Sequence, residues 1–336
     1  MMRCIGRAIL PAALAFVLGA HVPAGQDLRQ TRSGGSETEA VDPERTITVD
    51  GRQRSYLLHR PAGGPGKPMG LVLVFHGGTE TGADAARISG FDREADRAGF
   101  VVAYPNGVDK HWSDGRGTTA PDKQGVDDVA FVRALVRDIE KSVSIDPGRV
   151  FAAGMSNGAF LAHRLGCEMS DVFDAIAPVI GSMPSSLAGR CHPRRPIAVL
   201  AIQGAADPLV PIAGGEEGGP RHLGEGGQLE PAEATYRAWA ERNGCSKEPK
   251  VERLPDRASD GTSVERISYG GCRERADVVF YRVAGMGHRW PSPESAARRK
   301  PLIDRLLGPS SGNIDATATI ARFFEEHGRP SPTRTP

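Results

Sequence analysis

The sequence predicts one α/β domain, with a mainly parallel central sheet covered by helices on both faces. Three observations carry this reading. Strand-like and helix-like segments alternate along most of the chain, the pattern of a parallel sheet built from crossover connections. The strand candidates are continuous apolar runs, such as Leu71-Val72-Leu73-Val74-Phe75, as expected where both faces of a strand are buried. The 336 residues contain no internal repeat and no second block of elements, and a chain of this length buries a substantial core without metals or staples.

Taken in order, residues 46–49 and 55–59 read as a hairpin on the Asp50-Gly51 turn. The buried strand 71–75 follows, then a helix over 91–98 and a strand over 101–104. Asp127 or Asp128 caps a helix whose apolar positions, Phe131, Leu135, Ile139 and Val143, recur near the helical period. Residues 149–153 form a strand that runs into a helix-like stretch at 159–165. Further strands are expected at 175–180 and 197–202. Residues 214–227 hold seven glycines and read as a loop. A helix over 232–242, a strand over 278–283 and a helix over 314–327 complete the domain. Between the last two lies an insertion at 294–312, helix-like through Leu307, which is either a lid or a surface helix.

The N-terminus reads as an address. Arg3 and Arg7 precede an apolar stretch from Ile9 to Ala20, and Val22-Pro23-Ala24 offers small residues for cleavage, so residues 1–24 are expected to be a secretory signal peptide. The stretch is short and interrupted by Pro11, which argues against a membrane span in the mature chain. Residues 25–45 are expected to be a flexible leader, 46–328 the catalytic domain and 329–336 a disordered tail. Lys+Arg number 42 against 41 Asp+Glu, a net charge of +1. Losing Arg3 and Arg7 with the signal leaves a net −1, without the basic excess of nucleic-acid proteins. Four cysteines follow the signal: Cys167, Cys191, Cys245 and Cys272. In an exported chain an even number favours disulfides, and of the three pairings the sequential one, Cys167–Cys191 with Cys245–Cys272, closes the modest loops. No pair has zinc-ligand spacing, and no metal or organic cofactor is expected.

The chemistry gathers after the strands. Gly154-Met155-Ser156-Asn157-Gly158 is a G-x-S-x-G pentapeptide. In a chain with 42 glycines the motif alone is weak, but a strand runs into it and a helix runs out, the setting a strained, exposed nucleophile requires. His76-Gly77-Gly78-Thr79 follows the buried strand and can aim a backbone N–H at an oxyanion. Gly78 is the expected donor, Thr79 the near alternative, and the N–H of Asn157 its partner. His76 itself reads as structural. Asp207 follows one strand, in Gly204-Ala205-Ala206-Asp207-Pro208, and His288 another, in Gly285-Met286-Gly287-His288. Ser156, Asp207 and His288 thus supply nucleophile, orienting acid and base in the chain order of the α/β-hydrolases. Trp112 and Trp290 are candidate aromatic walls for a phenolic acyl group.

These residues carry a family resemblance. Phe75-His76-Gly77-Gly78, Tyr104-Pro105-Asn106-Gly107, Val126-Asp127-Asp128-Val129, the Ser156 pentapeptide with Ala159, Gly204 through Pro211, Asn243-Gly244-Cys245 and Gly287-His288-Arg289-Trp290-Pro291 resemble the secreted α/β-hydrolase esterases grouped as polyhydroxybutyrate depolymerase or feruloyl esterase-like. The resemblance runs from about Thr46 to His327. It implies a single α/β-hydrolase domain, a Ser156–His288–Asp207 triad, an oxyanion hole from Gly78 and Asn157, and a Cys245–Cys272 bridge. The chain departs in two respects. Many depolymerase-like members carry Cys where this chain has Gly78, and only nine residues follow His327, where polymer depolymerases often add a binding domain. The expected function is therefore a secreted serine esterase acting on feruloyl or short acyl esters of plant polysaccharides. The alternative is a poly(3-hydroxybutyrate) or hydroxyalkanoate-oligomer depolymerase. An acyltransferase with the same triad and a non-catalytic carbohydrate-binding protein stand further off. The expected partner is the ester substrate, polysaccharide-linked or oligomeric.

Overall fold

A computed structural model describes residues 44–61, 67–219, 224–298 and 300–329. The expected signal peptide, nearly all of the leader and residues 330–336 lie outside the described residues. The chain enters at β1 (Arg45–Val49) and β2 (Arg52–His59), an antiparallel hairpin. Its turn puts Asp50 and Gly51 in the left-handed region, at φ 49° and 75°, which is why the Asp-Gly pair stands there. Then follow β3 (Met69–Phe75), α1 (Gly82–Ser89), α2 (Phe91–Ala98), β4 (Phe100–Pro105), α3 (Ala120–Lys123) and α4 (Asp128–Glu140). Next come β5 (Ile145–Met155), α5 (Asn157–Glu168), β6 (Ala175–Val179), α6 (Ser185–Ala188) and β7 (Ala198–Gly204). The glycine-rich loop carries a small two-stranded ladder, β8 (Gly215–Glu216) with β9 (Gln228–Leu229), before α7 (Ala232–Asn243). The chain closes with β10 (Lys250–Arg253), β11 (Ser263–Tyr269), β12 (Val278–Ala284), α8 (Pro293–Ala297), α9 (Pro301–Leu307) and α10 (Ala316–His327).

The main sheet runs in the order β1-β2-β4-β3-β5-β6-β7-β12-β11-β10. Its centre, from β4 to β12, is parallel, and both margins are antiparallel. The alternation of β3 shows how the sheet is buried. Leu71, Leu73 and Phe75 join a core with Phe131 and Leu135 of α4, Leu165 of α5 and Trp239 of α7. Val72 and Val74 join a second core on the other face, with Phe91 of α2 and Ile320 and Phe324 of α10. A strand flanked by helices on both sides needs apolar residues at every position, hence the unbroken run in the sequence.

Helix α1 and the margin strands β10 and β11 are among the elements that the sequence did not predict. Helix α1 begins at Thr81, which accepts from Asp84 N–H while the Asp84 side chain accepts from Thr81 N–H, a capping box. The margin strands β10 and β11 have polar, half-exposed sequences and so lack the apolar run that marked the central strands. The cap of α4 is Asp127, whose side chain accepts from Ala130 N–H; Asp128 is buried and pairs with Arg54 at 2.7 Å. The cysteines pair sequentially, Cys167–Cys191 and Cys245–Cys272.

Candidate active site

Ser156 occupies the sharp turn between β5 and α5, with φ 53° and ψ −120°, a conformation that a non-glycine residue adopts at a cost of about 1–3 kcal/mol. Its N–H donates to Val179 O at 3.1 Å. The two glycines of the pentapeptide are sterically required. A Cβ at Gly154 would stand 2.3 Å from Gly158 O, and one at Gly158 would stand 2.4 Å from Phe75 O. Only glycine at both positions lets helix and strand approach closely enough to form the turn.

Asp207 and His288 meet at the C-terminal ends of β7 and β12, as such sheets place their sites. His288 Nδ1 lies 2.8 Å from Asp207 Oδ2, and both side chains are buried. The other carboxylate oxygen of Asp207 accepts from the N–H groups of Leu209 and Val210 at 2.8 and 2.9 Å. An ionised carboxylate only accepts, so Nδ1 of His288 is the donor in this contact, which leaves Nε2 turned away from Asp207. The backbone of His288 is braced by the end of α9 and the residues after it: His288 N–H donates to Leu307 O at 2.5 Å, and Gly287 N–H to Pro309 O at 2.9 Å. A Cβ at Gly287 would stand 2.1 Å from Leu307 O, so this turn also needs its glycine. The 294–312 insertion therefore supports the histidine with its main chain, while Leu302 and Leu306 of α9 face solvent.

The 76–80 loop is pinned at nearly every polar group. His76 Nε2 accepts from Gly107 N–H at 2.9 Å, and Nδ1 donates to Gly77 O at 2.7 Å. With both nitrogens engaged, burial pushes its pKa down to about 4, and the ring is a neutral structural group, as expected. Thr79 N–H donates to Lys110 O at 2.9 Å, and Gly77 N–H to Glu80 Oε2 at 2.9 Å. Gly78 N–H has no acceptor among the described residues. A Cβ at Gly78 would lie 4.0 Å from Asn157 Cβ, so the two are neighbours. It would also lie 3.2 Å from the imidazole of His111, which fills the space where a larger residue at 78 would extend. The N–H of Asn157, in the first turn of α5, has no acceptor among the described residues either.

Two expectations need correction. Trp112 is 0% exposed: its Nε1 donates to His76 O at 2.9 Å, and its ring lies 4.7 Å from that of His76. Trp290 is 3% exposed, and its Nε1 donates to Thr317 Oγ1 at 3.0 Å. Each indole found a buried polar partner and packs in the core, so neither ring presents a wall to open space. Trp112 supports the site from beneath instead. Its N–H donates to Asn157 Oδ1 at 2.7 Å, and Asn157 Nδ2 donates to Asp114. Asp114 in turn pairs with Arg116 at 2.8 Å, and Arg116, buried over the ring of Phe160, pairs with Glu217 at 2.9 Å. This network ties the residue after Ser156 to the glycine-rich loop. Sequence reasoning missed it because Asp114, Arg116 and Glu217 carry no motif, and only the fold brings them together. A surface cavity of about 760 Å³ between α7 and the strands β11 and β12 contains none of Ser156, Asp207 or His288. Among the described residues no cluster of His, Cys, Asp and Glu is arranged to hold a metal, and no helix is long and apolar enough to cross a membrane.

Residues 54–199 match the family described as esterase PHB depolymerase. NocK of Nocardia uniformis subsp. tsuyamanensis, a protein named as an esterase, is 36% identical over 288 residues, spanning 82% of this chain and 83% of its own. The chain belongs to the esterase PHB depolymerase family. Feruloyl esterase C of Emericella nidulans is 29% identical over 288 residues, covering 84% of this chain and 90% of its own. Acetyl xylan esterase from Aspergillus awamori superposes with a TM-score of 0.51 over 74% of this chain and 94% of its own, at 17% identity, a likeness of fold. This member of the esterase PHB depolymerase family is a carboxylic ester hydrolase with the α/β-hydrolase fold.

Proposed function

We propose that Ser156, His288 and Asp207 are the catalytic triad, that Gly78 and Asn157 supply the oxyanion hole, and that the substrates are feruloyl or short acyl esters of plant polysaccharides. The observations that support the triad are the 2.8 Å His288–Asp207 contact after β7 and β12 and the φ of 53° at Ser156, on the turn after β5. Between Gly78 and Thr79 the hydrogen bonds favour Gly78, because the Thr79 N–H is already taken by Lys110 O.

In this reading His288 Nε2 takes the proton of Ser156 as its oxygen attacks the ester carbonyl, and Asp207 stabilises the imidazolium. The N–H groups of Gly78 and Asn157 stabilise the tetrahedral oxyanion; losing one such donor typically costs ~10²–10³ in rate. The imidazolium protonates the departing alcohol. A water, deprotonated by His288, then releases the acid from Ser156. An imidazolium cannot accept a proton, so kcat/KM falls toward acid pH.

Relatives named as feruloyl esterases support the aromatic acyl reading. The match to the depolymerase family supports hydroxyalkanoate oligomers as the second reading. Export is part of the proposal: residues 1–24 read as a secretory signal, and the two disulfides suit an oxidising compartment. The test is hydrolysis of methyl ferulate by the purified chain beside Ser156→Ala. Turnover that disappears in the variant supports both nucleophile and substrate class. No turnover by folded wild type overturns the feruloyl reading, and hydroxybutyrate oligomers are then assayed in its place.

A further inference from the structure

Among the polar side chains that the triad leaves unused, Glu80 stands across one glycine from Ser156. The point where a Cβ would sit on Gly77 is 3.0 Å from Glu80 Oε2 and 3.5 Å from Ser156 Cβ, so the carboxylate and the serine flank the same glycine. Gly77 N–H donates to Glu80 Oε2 at 2.9 Å, and Glu80 N–H donates back to Gly77 O at 3.3 Å. These two bonds close the Gly77-Gly78-Thr79-Glu80 turn on itself, with Thr79 left-handed at φ 66°. The side chain is largely shielded. Burial raises its carboxyl above the usual range against the pull of the Gly77 N–H, and Asp84 adds to the rise while His288 and Arg87 oppose it.

The turn contains two successive glycines, which by themselves explore a wide range of backbone angles. An oxyanion donor works only when it is fixed before the charge develops. Gly77 N–H is the backbone group through which the glycine pair is anchored, and Glu80 Oε2 is its acceptor. We propose that Glu80 is a positioning residue for the oxyanion hole, fixing the glycine pair through the Gly77 N–H so that Gly78 N–H is presented to the ester carbonyl. The inference rests on the triad and oxyanion assignment above.

The experiment compares wild type, Glu80→Ala and Glu80→Gln by kcat and KM on p-nitrophenyl acetate and by inhibition with a trifluoromethyl ketone, whose serine adduct carries an oxyanion. Loosening a donor costs less than deleting one, so Glu80→Ala is expected to lower kcat by about 10- to 100-fold with KM within about twofold. Ketone affinity should fall in step with kcat. Glu80→Gln keeps an acceptor oxygen at the same reach and is expected to restore both. Wild-type kcat in Glu80→Ala overturns the proposal, as does a Gln variant as impaired as Ala, or a loss of kcat with ketone affinity unchanged. Fluorophosphonate labelling of Ser156 in wild type separates the two levels: an unlabelled, inactive wild type overturns the triad itself, whereas failure of the Glu80 pattern in a labelled, active protein overturns only this inference. If Glu80→Ala does not fold, Glu80→Asp, shorter by one methylene, is expected to lower kcat at unchanged KM, and wild-type kcat in that variant overturns the proposal.

Discussion

His76, His163 and His288 are three histidines in three environments, and their partners separate their roles. His288 has an acid partner on Nδ1 and no described partner on Nε2, which leaves one nitrogen for chemistry. His76 has both nitrogens engaged by backbone, and His163 accepts from Trp239 Nε1 at 3.1 Å and faces Gly181 O at 3.3 Å. Replacing Asp207 by Asn removes the charge and lets the imidazole take the wrong tautomer, so kcat should fall by about 10⁴ with little change in KM. Steady-state kinetics on a soluble ester checks this, and a variant within tenfold of wild type would count against Asp207 as the orienting acid. The two structural histidines make a separate prediction about acid. Burial lowers His76 to about 4 and His163 to about 3, from an unfolded value of 6.5. The unfolded chain binds these protons first, so their contribution to stability is complete above about pH 6.5 and is lost as pH falls toward 4, by several kcal/mol in all. Urea midpoints measured between pH 7 and pH 4 should decline, and His163→Gln should decline less steeply.

At the scale of elements, the sequence exposed those that satisfy one rule along their whole length. The strand at 71–75 is buried on both faces and reads as an apolar run, and α4 repeats its apolar residues on one face. Where an element keeps one side in solvent, as β10 and β11 do, the apolar signal thins and the strand escapes notice. Helix α1 was legible in principle from the Thr81–Asp84 capping box, but its short apolar face gave no period to follow. The elbow was legible because its glycines answer to local backbone contacts, Gly154 against Gly158 O and Gly158 against Phe75 O. The tryptophans were not, because an indole in a loop near the site reads alike whether it points outward or under the loop. Here Trp112 turned inward because His76 O needed a donor beneath it.

At the scale of the molecule, the parallel sheet gathers the ends of β3, β5, β7 and β12 on one side, and the loops there bring residues 81 positions apart, Asp207 and His288, into contact. The disulfides hold the periphery of that arrangement: one joins the end of α5 to the segment before β7, the other joins the end of α7 to the approach to β12. Their loops, with sequence separations of 24 and 27, correspond to about 3.5 kcal/mol each in loop-closure entropy. Changing Cys245 and Cys272 together to Ser should lower the thermal midpoint while leaving kcat near wild type, because the bridge lies away from Ser156. Calorimetry beside ester kinetics tests this, and an unchanged midpoint would show that the bridge adds no stability. The sequence by itself determined the layered α/β fold, the strand–helix turn at Ser156 and the cysteine pairing favoured here. Each of these follows from local backbone sterics, from burial of consecutive residues, or from short loop closure. The tertiary structure alone decided which N–H of the 76–80 loop has no acceptor among the described residues, that both tryptophans are buried, and how Asp114, Arg116 and Glu217 form one network. Those outcomes depend on hydrogen-bond partners distant in sequence, and no pattern along the chain records where such partners will stand.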